Sequence, residues 1–160
     1  MKTLKIDEKN AMKLYASASS EFKTMLEDSF GKDFFNVKIT NRIKSYEDAC
    51  FYLEIDPENL PDVDYCQDED KNSIIAYHKL TIIARALNEG WKPNWSNHDQ
   101  YKYYGYLYTD TAGFVYANAT NTASLTSAYI GSRLCFKNRE LALYAIEQFK
   151  SLYEEYLFIK

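Results

Sequence analysis

The chain has 160 residues, 16% of them aromatic, and a formal net charge of −4. That length suits one domain, whose core buries about two thirds of the surface its unfolded chain exposes, so neither a disulfide nor a metal is needed to stabilise it. Residues 1–70 carry nine basic and 16 acidic groups and residues 71–160 ten and seven, a balance that excludes the broad basic surface with which a dedicated duplex-DNA binder neutralises phosphates.

Cys50, Cys66 and Cys135 are odd in number, far apart and without a CxxC pair. They read as free thiols of a reducing compartment, the cytoplasm. MKTLKIDEKN puts charges where a signal peptide needs an apolar core, and no run of about 18 apolar residues follows, so the expectation is neither a secreted precursor nor a membrane protein.

Residues 7–30 read as helix in two pieces, with Ala11, Leu14 and Tyr15 on one apolar stripe and Phe22, Met25 and Leu26 on the next. The break falls at ASASS, where Ser19 or Ser20 can cap the second piece, and Gly31 supplies the backbone freedom to end it. A short basic stretch with Lys32, Lys38, Arg42 and Lys44 follows. Ser45-Tyr46-Glu47-Asp48 then signals a helix start with an acid at the third helical position, Tyr46, Ala49, Cys50 and Leu53 line one side, and Pro57 closes it. A helix-turn-helix reader is disfavoured, because this second helix opens on Glu47 and Asp48, which phosphates repel.

From Glu54 to Asp70 there are eight carboxylates and no basic residue, interrupted by Pro57 and Pro61. Asp62, Asp64 and Asp68 have the spacing of a calcium loop, but Gln67 stands where such a loop needs glycine and Ser73 where it needs a bidentate glutamate. A solvated acidic loop is the better reading, and no metal is assigned.

Residues 70–88 form the clearest helix: Ala76, Leu80, Ile83, Ala84 and Leu87 fall on one stripe, Ile75, Ile82 and Ala86 widen it, and His78 and Arg85 lie nearly opposite. Gly90 is the expected stop. Nothing in the sequence joins His78 to Cys66 as base and nucleophile.

Trp91 to Tyr116 holds nine of the 26 aromatic residues. Trp91, Pro93 and Trp95 make a rigid bridge between the central helix and the sheet, and Tyr101 to Tyr108 reads as a strand with Gly105 as a bulge. Tyr101 and Tyr103 share one parity while Tyr104, Tyr106 and Tyr108 share the other, so one set belongs to the core and the other to a free face. Thr109 to Gly113 is a hairpin connection and Phe114 to Ala117 its return strand. Residues 117–128 carry no charge and read as a polar loop or a weak edge strand. A third strand is expected over Tyr129 to Lys137 with Gly131 as a bulge, sending Leu134 and Phe136 one way and Arg133, Cys135 and Lys137 the other. Asn138 caps a last helix with Leu141, Ala145, Phe149, Leu152 and Tyr156 on its apolar face.

NEGWKPNW at 88–95, YKYY at 101–104 and GSRLCFKNRELALYA at 131–145, followed by Phe149 and Tyr153, resemble a family of small uncharacterised proteins of Bacteroides-type gut bacteria and their phages and prophages. The resemblance covers most of the chain. It implies a phage or mobile-element origin and carries over no activity and no site residues.

The fold expected is α+β within a single domain, 1–160. It comprises a helical part at 1–60, the acidic loop at 54–70, and a helix–sheet–helix core at 71–160, where a small antiparallel sheet of about three strands packs against the central helix and a long C-terminal helix. The site expected is the sheet face with Tyr104, Tyr106, Tyr108, Arg133 and Lys137. Tyrosine buries large area at low entropy cost, so a protein partner or self-association is the leading reading, for a non-enzymatic accessory or interaction protein that uses no cofactor. Basic groups among aromatic rings also suit a nucleotide or single-stranded nucleic acid, which is the alternative. Two histidines and three scattered cysteines offer no supported catalytic set.

Overall fold

Two serines begin helices as their hydroxyls allow. Ser19 Oγ accepts from the Phe22 N–H and starts α2 (Ser20–Phe30), while Asp7 caps α1 (Glu8–Ser17) in the same way and Gly31, at φ +86°, ends α2. Ser45 starts α5 (Tyr46–Leu53) with a full capping box: its Oγ accepts from the Asp48 N–H, and the Asp48 carboxylate accepts from the Ser45 N–H. Glu54 ends α5 in the left-handed conformation, three residues before the expected stop at Pro57.

This computed structural model describes residues 6–110, 113–123 and 131–159. They fall into two compact units, Met1–Lys38 and Ile39–Lys160. In the first, α1, α2 and the short α3 (Lys32–Phe35) close around Ala11, Leu26 and Phe35, with the Tyr15 ring stacked on Phe35 at 4.1 Å between centroids. Leu14 and Met25, expected on the apolar stripes, are exposed instead.

In the second unit, α4 (Ile39–Arg42) and α5 lead through an irregular acidic segment into α6 (Asp68–Leu87). That segment is shorter than expected: Asp68, Glu69 and Asp70 form the first turn of α6, where carboxylates interact favourably with the helix dipole. Ala76, Leu80, Ile82, Ile83, Ala84, Ala86 and Leu87 are all buried. Glu89 and Gly90, both at positive φ, follow the end of α6 at Asn88.

Among the described residues the sheet has two strands, β1 (Lys102–Asp110) and β2 (Gly113–Thr122), paired antiparallel. Three were expected. Residues 132–134 instead coil into a 3-10 helix after Gly131, itself at φ +56°, and only Phe136 reaches β1, exchanging backbone hydrogen bonds with Tyr103 at 2.7 and 3.0 Å. On its other side this one-residue strand is held by a side chain: buried Asn88 donates through Nδ2 to the Cys135 carbonyl at 2.8 Å and accepts through Oδ1 from the Lys137 N–H at 3.0 Å. An amide presents the same donor and acceptor pair as a backbone edge, so Asn88 stands in for a further strand. The start of the expected third strand, Tyr129 and Ile130, lies outside the described residues.

Residues 117–122, open between loop and edge strand in the sequence, belong to β2. Gly105 is no bulge; it pairs regularly with Ala119, and the register shift lies between Tyr108 and Thr109. Glycine is required at 105 for another reason: a Cβ there would meet Ile146 Cδ1 at 2.8 Å and Cβ at 2.9 Å.

The C-terminal helix is two helices, α7 (Arg139–Gln148) and α8 (Lys150–Leu157), because buried Phe149 leaves the helical conformation at φ −109°, ψ 31°. The break lets α7 cross the sheet while α8 lies along α6. Leu134 and Phe136 share the core with Leu141, Ala145 and Ile146, so the last helical segment does cover them.

Candidate functional site

Helix α7 decides which face of the hairpin packs on the core. Tyr103, Leu107 and Ala117 pack against the main core, Ala119 is inside it, and Gly105 meets Ile146, so odd-numbered residues of both strands face α7. Tyr104, Tyr106 and Tyr108 alternate with these and face away. Their register partners Thr120 and Asn118 share that face. Tyr108 is 54% exposed, Tyr104 and Tyr106 are half-buried, and the Tyr106 and Tyr108 rings meet edge to face at 5.2 Å. This geometry suits aromatic quadrupoles and holds the rings in a defined arrangement.

The two cations expected beside these rings are not carried on a neighbouring strand. Arg133 sits exposed on the 3-10 helix. Lys137 is tied to Glu89 by an ion pair of 2.6 Å. Cys135, expected to point with them, is fully buried, donates its S–H to the Gly131 carbonyl at 3.0 Å, and has its thiol pushed up to about 11 by burial, with nearby Lys102 pulling the other way.

Lys102 is the residue that the sequence does not mark. It has the parity of Tyr104, Tyr106 and Tyr108, yet it is 0% exposed. Its ammonium donates to the carbonyls of Asn97 at 2.9 Å and Ala123 at 2.7 Å and lies 5.3 Å from the centre of the Trp95 ring. Three donors meet two carbonyls and a π face, which compensates its desolvation without any carboxylate among the described residues. Trp95 in turn donates from Nε1 to Ser132 Oγ at 2.6 Å. The tryptophan bridge, expected to join the central helix to the sheet, therefore joins the 3-10 helix to the start of β1 and closes that end of the tyrosine face.

Among the described residues, no three His, Cys, Asp or Glu side chains are placed to hold a metal ion. Cys66 precedes the start of α6 and His78 lies well along it; at 1.5 Å per residue they are roughly 15 Å apart along the helix axis, beyond hydrogen-bond reach. No described helix is long and apolar enough to cross a membrane. No family model, curated protein or solved structure matches the chain.

Proposed function

We propose that this protein is a non-enzymatic accessory or interaction protein of phage or prophage type, acting in the cytoplasm of a bacterial host, and that it engages a protein partner through Tyr104, Tyr106 and Tyr108. The observation that carries this reading is the face itself: three tyrosines on the side of β1 turned away from α7, one of them 54% exposed. Tyrosine and tryptophan are enriched among the residues that dominate binding energy at interfaces, because they bury large area with few rotatable bonds. The origin rests on the family resemblance of the tryptophan and YKYY motifs.

Charge favours a protein over a phosphate-bearing ligand. Among the basic residues of this region, Lys102 is buried, Lys137 is paired with Glu89, Arg139 bonds the Asn118 side chain, and Arg133 is exposed on the 3-10 helix. Exposed Arg133 keeps the nucleotide or single-stranded nucleic-acid reading as the alternative, since an arginine used together with aromatic rings is the minimum that stacking and phosphate binding require.

The test is co-purification from host cells with wild-type protein and with the variant carrying Tyr104→Ala, Tyr106→Ala and Tyr108→Ala. A partner recovered at least tenfold less with the variant supports the reading; equal recovery overturns it. A labelled single-stranded oligonucleotide, titrated in parallel, decides the alternative: binding lost on Arg133→Ala selects nucleic acid instead.

A further inference from the structure

Helix α7 sends one cation to the hairpin. Arg139, the first residue of α7, is exposed, and its Nη2 donates to Asn118 Oδ1. Asn118 lies opposite Tyr106 in the β1–β2 ladder and has the parity of the tyrosine row, whereas α7 packs on the face of the odd-numbered residues. The Arg139 side chain therefore passes the margin of β2 to end at a residue of the tyrosine side. The oxygen it meets is itself fixed, because it also accepts from the Ala119 N–H at 2.8 Å.

The holder is an amide, and that decides what the guanidinium can still do. A carboxylate in the place of Asn118 would neutralise Arg139; an amide oxygen orients it and leaves its charge, and most of its five donors, for a ligand. Among the described residues Arg139 enters no ion pair, and the chain from Thr111 to Gly131 has no acidic residue that could supply one. The helix gains nothing from a cation at this position, since its dipole favours acids in the first turn. Lys137, by contrast, is neutralised by Glu89, and Lys102 is held by two carbonyls.

We propose that Arg139 is the specificity-determining residue of the tyrosine face, and that the partner it selects is a protein segment carrying an aspartate or glutamate. This rests on the reading of Tyr104, Tyr106 and Tyr108 as the contact face. A planar guanidinium takes a carboxylate through two parallel hydrogen bonds, so one oriented arginine fits one acidic side chain. A nucleic-acid strand presents a phosphate at every nucleotide and is followed by a groove of many cations. With Lys102 and Lys137 engaged within the chain, the described residues of this hairpin and its surroundings do not supply such a row.

The test displays a random decapeptide library against the immobilised full chain. Peptides retained by the wild type are expected to carry Asp or Glu at one common position, and those retained by Arg139→Gln to lack it. The most frequent peptide, and its counterpart with that acid changed to the amide, are then titrated into both proteins. Wild type is expected to bind the acidic form at least tenfold more tightly than the amide form, while Arg139→Gln binds the two alike. Asn118→Asp, which neutralises the guanidinium at its holder, is expected to remove the preference as well. The proposal is overturned if no peptide is retained, if retained peptides share no acid, or if the acidic preference survives Arg139→Gln. It is equally overturned by a single-stranded oligonucleotide that binds the wild type and loses at least tenfold on Arg139→Gln. The variant carrying Tyr104→Ala, Tyr106→Ala and Tyr108→Ala tells the two readings apart. If it binds the acidic peptide as the wild type does, the tyrosine reading fails and this proposal with it; if it binds neither form while Arg139→Gln keeps the preference, this proposal fails alone. Arg139 is exposed at the first position of α7, so Arg139→Gln leaves the core intact, which circular dichroism checks.

Discussion

Helix α6 and the β1–β2 hairpin are both central to the larger unit, but they are held in different ways. α6 packs against α5, α7, α8 and the 3-10 helix, and seven of its side chains are buried. The hairpin has one face on α7, with Gly105 fitted closely against Ile146, and its other face carries tyrosine. An element covered on several sides has its residue types dictated by packing. An element that, among the described residues, meets the core with one face is constrained by that core at every second residue, and its other residue types answer to other demands.

The largest expected effect tests the first half of that contrast. Leu80, 1% exposed in the middle of α6, is expected to cost about 2–5 kcal/mol when replaced by alanine, through lost transfer energy and the cavity left behind. Tyr108→Ala, at a side chain 54% exposed, is expected to cost under about 1 kcal/mol. Urea denaturation of both variants makes the comparison, and equal midpoints would abolish the distinction between the two regions.

A smaller effect sharpens the second half. Gly105→Ala places a methyl group against Ile146, and such overpacking costs about 1–3 kcal/mol. Ile146→Ala in the same chain removes the Cδ1 and Cγ2 neighbours, so the double variant is expected to lose less than the sum of the single losses. Strict additivity would mean that the hairpin is not seated on α7 through this contact.

The sequence was most readable where structure is local. Ser19, Gly31 and Ser45 act within four residues of themselves, and the α6 stripe repeats within one helix, so their roles follow from spacing alone. The tyrosine parity holds from Tyr103 to Tyr108 for the same reason, but Tyr101, expected to share the Tyr103 side, precedes β1 and is 55% exposed. What was hidden depends on residues far apart in the chain. Asn88 and Phe136 are separated by 48 positions, yet together they replace the third strand that alternation predicted. Phe149 continues the apolar period of the last helix without a glycine or proline, and only the diverging demands of the sheet and α6 explain the break there. Lys102 looks like a surface lysine until Asn97, Ala123 and Trp95 close on it.

The smallest effect concerns the closed end of the hairpin and has a definite sign with pH. Burial raises the Cys135 thiol from 9.0 to about 11 despite the opposing influence of Lys102. Below pH 9 the thiol is protonated in both folded and unfolded chains, and its contribution to stability is fully present. As pH rises from 9 to about 11 the unfolded chain gives up this proton while the folded chain keeps it, so the folded state binds more protons and stability falls. The buried hydroxyl of Tyr153, also raised, extends the loss above pH 10. Melting temperature is therefore expected to decline from about pH 9 upward, and Cys135→Ala is expected to flatten the first part of that decline. A profile unchanged by this substitution would place Cys135 in water, and the seal that Trp95, Lys102 and the 3-10 helix form over the end of the tyrosine face would then be open in solution.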